Sequence, residues 1–295
     1  MIGIAILITP VFAEGTIESH PITQEHAAVY VDSYQRAVTV PADIERVVSL
    51  GPNITEIIFA LGKGDTLVGR TDYCDYPAET ADIISVGTIT EPNIETIIDT
   101  EPDLVIGSTH ASKETLDRLE DAGITTVGIY TDESFGGVYR TITDVGMFLD
   151  AEEQAQKLVT EMQDTLSSVQ EHISGAPEPT VYYVIGFGEW GDFTAGGDTF
   201  INDIIELAGG DNIAKDNTGW SYSLEQLIEQ DPDIIVCSKY YGTPEAFSTT
   251  PGYKDLRAVK EGHLYPIDNN IIDRQGVRTA EGVLTLAKIF HPDRF

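Results

Sequence analysis

The strongest constraint on the fold is a segment that occurs twice. Asn93-Ile94-Glu95-Thr96-Ile97-Ile98-Asp99-Thr100-Glu101-Pro102-Asp103-Leu104-Val105-Ile106 aligns without a gap on Ser223-Leu224-Glu225-Gln226-Leu227-Ile228-Glu229-Gln230-Asp231-Pro232-Asp233-Ile234-Ile235-Val236. Each copy reads as a cap residue, a short helix, a Pro-Asp turn and a buried strand. A weaker pair, Ile54–Ile58 and Ile201–Ile205, occurs in the same order, each helix stopping at a glycine, Gly62 or Gly209. Between the copies, from about Asp150 to Ile173, the apolar residues Ala155, Leu158, Val159, Met162, Leu166, Val169 and Ile173 share one helical face. Gly175, Pro177 and Pro179 end that run, which would span roughly 35 Å as a helix. The repeat period is far too long for a solenoid. The pattern implies two similar lobes joined by a rigid strut; the alternative is a long surface helix within one domain.

The rest of the chain fits an α/β class. Ala28–Val31 and Ala37–Val40 alternate around a turn and predict a hairpin. Val47–Leu50 reads as a buried strand, followed by a helix capped at Asn53 or Thr55. Leu104–Ile106, a helix through Leu116 and Leu119, and the strand Thr126–Ile129 continue the alternation, which restarts at Val181–Ile185. Strands alternating with helices across short turns indicate parallel sheets. The expected architecture is two similar α/β lobes bridged by one long helix, with a ligand cleft between them. The expected organisation is a signal-like segment at 1–13, a polar stretch at 14–26, an N-terminal lobe at 27–148, the bridging helix at 149–175 and a C-terminal lobe at 176–295. Ile2–Phe12 is apolar, of export-signal length and too short to span a bilayer, and Ala13 suits cleavage. No Lys or Arg precedes it and no Cys follows it, so either the n-region is defective or the true start lies upstream, and the usual lipid anchor is not expected. The alternative is a buried N-terminal strand.

Charge and motif exclude several function classes. The chain carries 49 acidic against 17 basic residues, a formal net charge of −32. Such a surface repels nucleic acid and anionic headgroups, so no nucleic-acid partner is expected. Cys74 and Cys237 form no closely spaced ligand pair, and the six histidines are dispersed without HxxxH or HxH, so no dedicated metal site and no bound cofactor are expected. Gly186-Phe187-Gly188 and Gly196-Gly197 fit no nucleotide loop. No nucleophile elbow appears, and no catalytic residues are assigned.

Candidate binding residues gather in loops after strands, where ligands of open α/β sheets sit. They are Tyr73, Tyr76, Phe187, Trp190, Trp220 and Tyr240, whose flat faces suit a large ring-shaped ligand, while some of them would simply pack the lobe surface. His110 follows a strand end. Arg274 and Arg278 stand out where cations are scarce, and each would either grip a ligand or pair with one of the many acids. Glu95 and Glu225 open the two repeated helices. The helix dipole accounts for either alone, but a carboxylate repeated in both lobes suits a two-fold symmetric partner. On that reading the pair lies on one outer face, far from the cleft.

Arg46-Val47-Val48-Ser49-Leu50-Gly51-Pro52-Asn53-Ile54-Thr55-Glu56-Ile57-Ile58-Phe59-Ala60-Leu61-Gly62, the preceding Tyr34–Pro41, Asp75-Tyr76-Pro77, Phe193-Thr194-Ala195-Gly196 and the two gapless copies together resemble the cobalamin and ferric-siderophore binding proteins of ABC importers. The resemblance covers nearly the whole chain and is nearest to the cobalamin-binding branch, through Tyr76-Pro77 and Trp220–Glu225. It implies an extracytoplasmic, monomeric solute-binding protein, not an enzyme. It implies a small-molecule metal chelate, corrinoid first, or a ferric siderophore or haem, held with little hinge motion. It implies an ABC permease dimer with its ATPase as partner, docked through Glu95 and Glu225. Tyr73 or Tyr76, Phe187 and Trp220 match ligand-contacting aromatics, and Arg274 falls near a ligand-side arginine. Ile89 departs from an expected aromatic, and Trp220 needs a one-residue gap. A chelatase-like enzyme and a surface scavenger are the rival readings.

Overall fold

The computed structural model describes residues 28–295; the segments expected at 1–13 and 14–26 lie outside them. The described chain opens with the hairpin β1 (Ala28–Val31) and β2 (Ala37–Val40). A first parallel sheet follows, from β3 (Val47–Leu50), β4 (Leu67–Arg70), β5 (Leu104–Gly107) and β6 (Thr126–Gly128), in the order β4-β3-β5-β6. Its helices are α1 (Pro52–Ala60), α2 (Ile94–Asp99), α3 (Lys113–Asp121) and α4 (Phe135–Phe148). The bridging helix is α5 (Glu152–Ile173). The second half contains β7 (Thr180–Val184), β8 (Asp192–Phe193), β9 (Asp211–Asn212), β10 (Ser221–Tyr222), β11 (Ile234–Ser238) and β12 (Leu264–Ile267). Four of these form a second parallel sheet, β12-β11-β7-β9, and β8 pairs with β10 as a small antiparallel ribbon. Its helices are α6 (Phe200–Leu207), α7 (Leu224–Gln230), α8 (Thr243–Thr249), α9 (Arg257–Glu261), α10 (Asn270–Asp273) and α11 (Thr279–Phe290).

The sequence repeat is a structural repeat. Asn93 and Ser223 cap α2 and α7 by accepting the backbone N–H three residues on. Each helix is followed by a left-handed residue before proline, Glu101 (φ 45°) and Asp231 (φ 40°). The next aspartate then ties the turn to the neighbouring strand. Asp103 accepts the N–H groups of Glu45 and Arg46 ahead of β3, and Asp233 accepts that of Thr180 at the start of β7. The repeated strands β5 and β11 are therefore interior strands of their sheets. Gly62 and Gly209, at φ 74° and 81°, end α1 and α6 in a conformation that side chains resist.

One sequence expectation needs correction here. Helix α1 starts at Pro52, with Gly51 at the cap, rather than at a capping Asn53 or Thr55. Proline suits the first turn because the N–H it lacks would have no partner there. Thr55 instead binds Ser49 and Cys74. Helix α4, on which the sequence offered no reading, contains Gly136, Gly137 and Gly146. A methyl group on Gly146 would lie 2.6 Å from the Ala155 Cβ, so glycine there lets α4 pack closely on α5.

Burial explains how the lobes join. In β7 and β11, Val181, Tyr183, Ile234 and Val236 face one core, while Tyr182, Val184, Ile235 and Cys237 face another. The first sheet alternates likewise, with Val47, Leu104 and Ile106 inward and Val48, Leu50 and Val105 outward. The inward faces of both sheets belong to one continuous apolar core. The bridging helix runs through it, burying Ala155, Val159, Met162, Val169 and Ile173. Both cysteines are buried and unbonded to each other.

A charged latch crosses between the halves. The side chain of Glu56 on α1 is only 1% exposed. It accepts hydrogen bonds from Arg274 (2.9 Å) and, through both oxygens, from Arg278 (2.8 and 2.7 Å). Arg274 also reaches Asp75 at 2.7 Å and the Tyr73 carbonyl at 3.2 Å, and the Arg278 guanidinium lies 4.1 Å from the Tyr76 ring centre.

Two outcomes follow. Glu56→Ala leaves Arg278 without its carboxylate and Arg274 with Asp75 alone, and should cost about 3–5 kcal/mol in urea unfolding. A loss under about 1 kcal/mol would show that water already screens the latch. With a shared core and a helical strut in place of a flexible hinge, small-angle scattering should show little compaction on ligand binding. A clear fall in radius of gyration would mean that the lobes close.

Candidate functional site

The strand C-terminal ends of both sheets open into one cleft with a volume of about 530 Å³. The N-terminal half contributes Gly51, Pro52 and Asn53 after β3, Ser108, Thr109 and His110 after β5, Glu133 after β6, and Ile89 from the loop ahead of α2. The C-terminal half contributes Ile185 after β7, Phe200 and Ile201 at the start of α6, Trp220 before β10, and Ile272, Asp273, Arg274 and Gln275 beyond β12.

Packing fixes the rim. A Cβ on Gly51 would lie 2.5 Å from that of Ser108, so glycine lets the ends of β3 and β5 meet. Ser108 then donates to the Asn53 side chain at 2.7 Å, and Asn53 donates across to the Gln275 carbonyl at 3.3 Å. Under the cleft, Phe135 of α4 meets Phe200 of α6 with ring centres 5.2 Å apart.

The electrostatics of the cleft are one-sided. Glu133 and Asp273 line it, and Arg274 already carries two carboxylates, Glu56 and Asp75. Burial pushes the Asp273 carboxyl above the usual range, against hydrogen bonds from Asn269 and Tyr183 that lower it. Among the described residues, no three His, Cys, Asp or Glu gather as a metal site would require.

The structure brings only some of the sequence candidates to this cleft. Trp220 and Arg274 line it, and so does His110. Tyr73 and Tyr76 are exposed and flank the latch. Phe187 packs edge-on against Phe247 and Tyr253, with ring centres 5.0 and 5.3 Å away. Trp190 sits on a turn, 87% exposed. Tyr240 donates to Asp268 at 2.9 Å, with the Lys239 ammonium 5.0 Å from its ring centre. None of these five is among the cleft-lining residues. Sequence reasoning missed Asn53, Ser108, Glu133, Phe200 and Ile272, of which only Ser108 directly follows a strand.

Glu95 and Glu225 are exposed, each in the first turn of its helix. Their expected separation from the cleft needs correction. Ile89 and Trp220 line the cleft and stand six and five residues before Glu95 and Glu225. In a parallel α/β unit the connecting helix runs back against the strands, so its N-terminus lies at the strand C-terminal end. The two carboxylates therefore belong to the cleft end of the molecule.

Known proteins share this plan. The sequence pattern of the periplasmic binding protein family matches residues 47–271. An ABC transporter substrate-binding lipoprotein of Bacillus subtilis, YvrC, is 34% identical over 90% of this chain and 85% of its own. A cobalamin-binding protein of Halobacterium salinarum is 30% identical over 92% of this chain and 75% of its own. Among solved structures, the apo periplasmic heme-binding protein RhuT of Roseiflexus sp. RS-1 is 25% identical, with a TM-score of 0.78 over 86% of this chain and all of that one. With the match spanning most of both lobes and the strut between them, the chain belongs to the periplasmic binding protein family.

Proposed function

We propose that this protein works outside the cytoplasm, binding a corrinoid without turnover and delivering it to an ABC permease dimer through Glu95 and Glu225. The observation that carries the choice of ligand is the charge of the cleft. Its walls are apolar, from Ile89, Ile185, Phe200, Ile272 and Trp220, and its ionisable groups are Glu133, Asp273, an already paired Arg274 and His110. Haem brings two carboxylates, and a ferric tris-catecholate is anionic. Either would desolvate like charges against Glu133 with no free arginine to offset them. A corrinoid presents neutral amides along the rim of its ring, which suit hydrogen bonds to Asn53, Ser108 and Gln275 without bringing a carboxylate against Glu133. The kinship with a cobalamin-binding protein at 30% identity supports the same choice. The open cleft suits a macrocycle gripped at its edge, with Trp220 offering a flat apolar face.

Calorimetric titration with cyanocobalamin and with hemin should show the corrinoid binding at least tenfold more tightly, and Glu133→Lys should narrow the gap. Tighter binding of hemin by the unaltered protein would overturn the charge argument. For delivery, changing Glu95 and Glu225 together to Lys should leave corrinoid affinity within about twofold and abolish uptake through the matching permease, because attraction becomes repulsion at the docking face. Undiminished uptake would remove these residues from that role.

A further inference from the structure

The repeated helices carry a second duplicated feature besides the carboxylates. In each copy the inward anchor is fully buried, Ile97 in α2 and Leu227 in α7. The next residue is isoleucine in both, and both are exposed, Ile98 at 40% and Ile228 at 50%. A single exposed aliphatic residue calls for no explanation. Two at equivalent positions of a gapless repeat, on helices whose cores are already satisfied by the preceding residue, do. Each isoleucine is three residues after the exposed carboxylate, Glu95 or Glu225, and one before a second exposed acid, Asp99 or Glu229. Residues three and four apart share one helix face, so each lobe presents a glutamate flanked by the isoleucine on one side and the second acid on the other.

We infer that Glu95-Ile98-Asp99 and Glu225-Ile228-Glu229 are matched contact patches for a two-fold symmetric membrane partner, in which each half presents an apolar socket bordered by basic side chains. The inference rests on the permease reading and adds its apolar part. The two patches are alike, so the partner must offer the same surface twice, as a C2 dimer does. The two acids to one side of each isoleucine call for cations along that edge of the socket. Surface carboxylates govern approach and register but contribute little once solvated, whereas a central side chain that loses its water contributes most of the retained affinity. The isoleucines are therefore the residues that hold the complex after the glutamates have steered it. Both patches lie at the cleft end of the molecule, so a partner seated on them faces the ligand.

The test uses the full-length protein loaded with cyanocobalamin and its matching permease–ATPase in nanodiscs, with association and dissociation followed by surface plasmon resonance. Ile98→Ser with Ile228→Ser should weaken the complex by roughly tenfold or more, mainly through faster dissociation, with corrinoid affinity unchanged. Ile98→Leu with Ile228→Leu should restore most of the loss. Glu95→Gln with Glu225→Gln should mainly slow association and flatten its salt dependence. If the glutamine pair weakens the complex and the serine pair does not, the isoleucine proposal falls and the docking reading stands. If neither pair changes the complex, both fall.

Discussion

A carboxylate sealed from water and held by two arginines from the other half of the chain sets the geometry on which the rest depends. Glu56 stands on α1, one turn from Pro52 and Asn53 on the cleft wall, while Arg274 is itself part of the opposite wall. Removing water from three charges is costly, and apolar replacements often match such a group in stability. What the latch adds is direction. Both oxygens of Glu56 and the guanidinium of Arg278 meet in a fork that tolerates little sliding, whereas the apolar core beneath allows small shifts between packed faces. The fork therefore fixes the cleft width, and Asn53 reaching the Gln275 carbonyl adds a neutral tie beside it.

The latch also shapes the charge of the cleft. With 17 basic residues against 49 acidic ones, cations are a scarce resource in this chain. Two of them are committed to Glu56, and one of those two also binds Asp75. The cleft is left with acids and amide-like groups around an apolar wall. On the proposed reading, the same contacts that hold the lobes together leave Arg274 and Arg278 already paired when an anionic ligand arrives.

Much of the fold was legible because the repeat carried local signals twice. Asn93 and Ser223, the two Pro-Asp turns and the alternating strands act within a few residues of themselves, so spacing alone revealed them. Helix α4 was not legible, because Gly146 serves contact with Ala155 rather than helix propensity. The site was less legible than the fold. Trp220 and Arg274 could be singled out by type and scarcity. Phe187 and Tyr240 had the same credentials, but Phe247 and Asp268 claim them within their own lobe. The latch joins residues 222 apart in sequence, Glu56 and Arg278, and no local pattern encodes that pairing.

The central claim is that the ligand sits between the lobes against Trp220. The chain has two tryptophans, Trp190 on an exposed turn and Trp220 in the cleft. Trp190→Phe leaves Trp220 as the sole indole, and a corrinoid absorbs strongly where tryptophan emits. Titrating that variant with cyanocobalamin should quench its fluorescence saturably, with an endpoint at one corrinoid per chain and a blue-shifted residual emission as water leaves the ring. Saturable binding that leaves the Trp220 emission unchanged would place the ligand elsewhere and contradict the account.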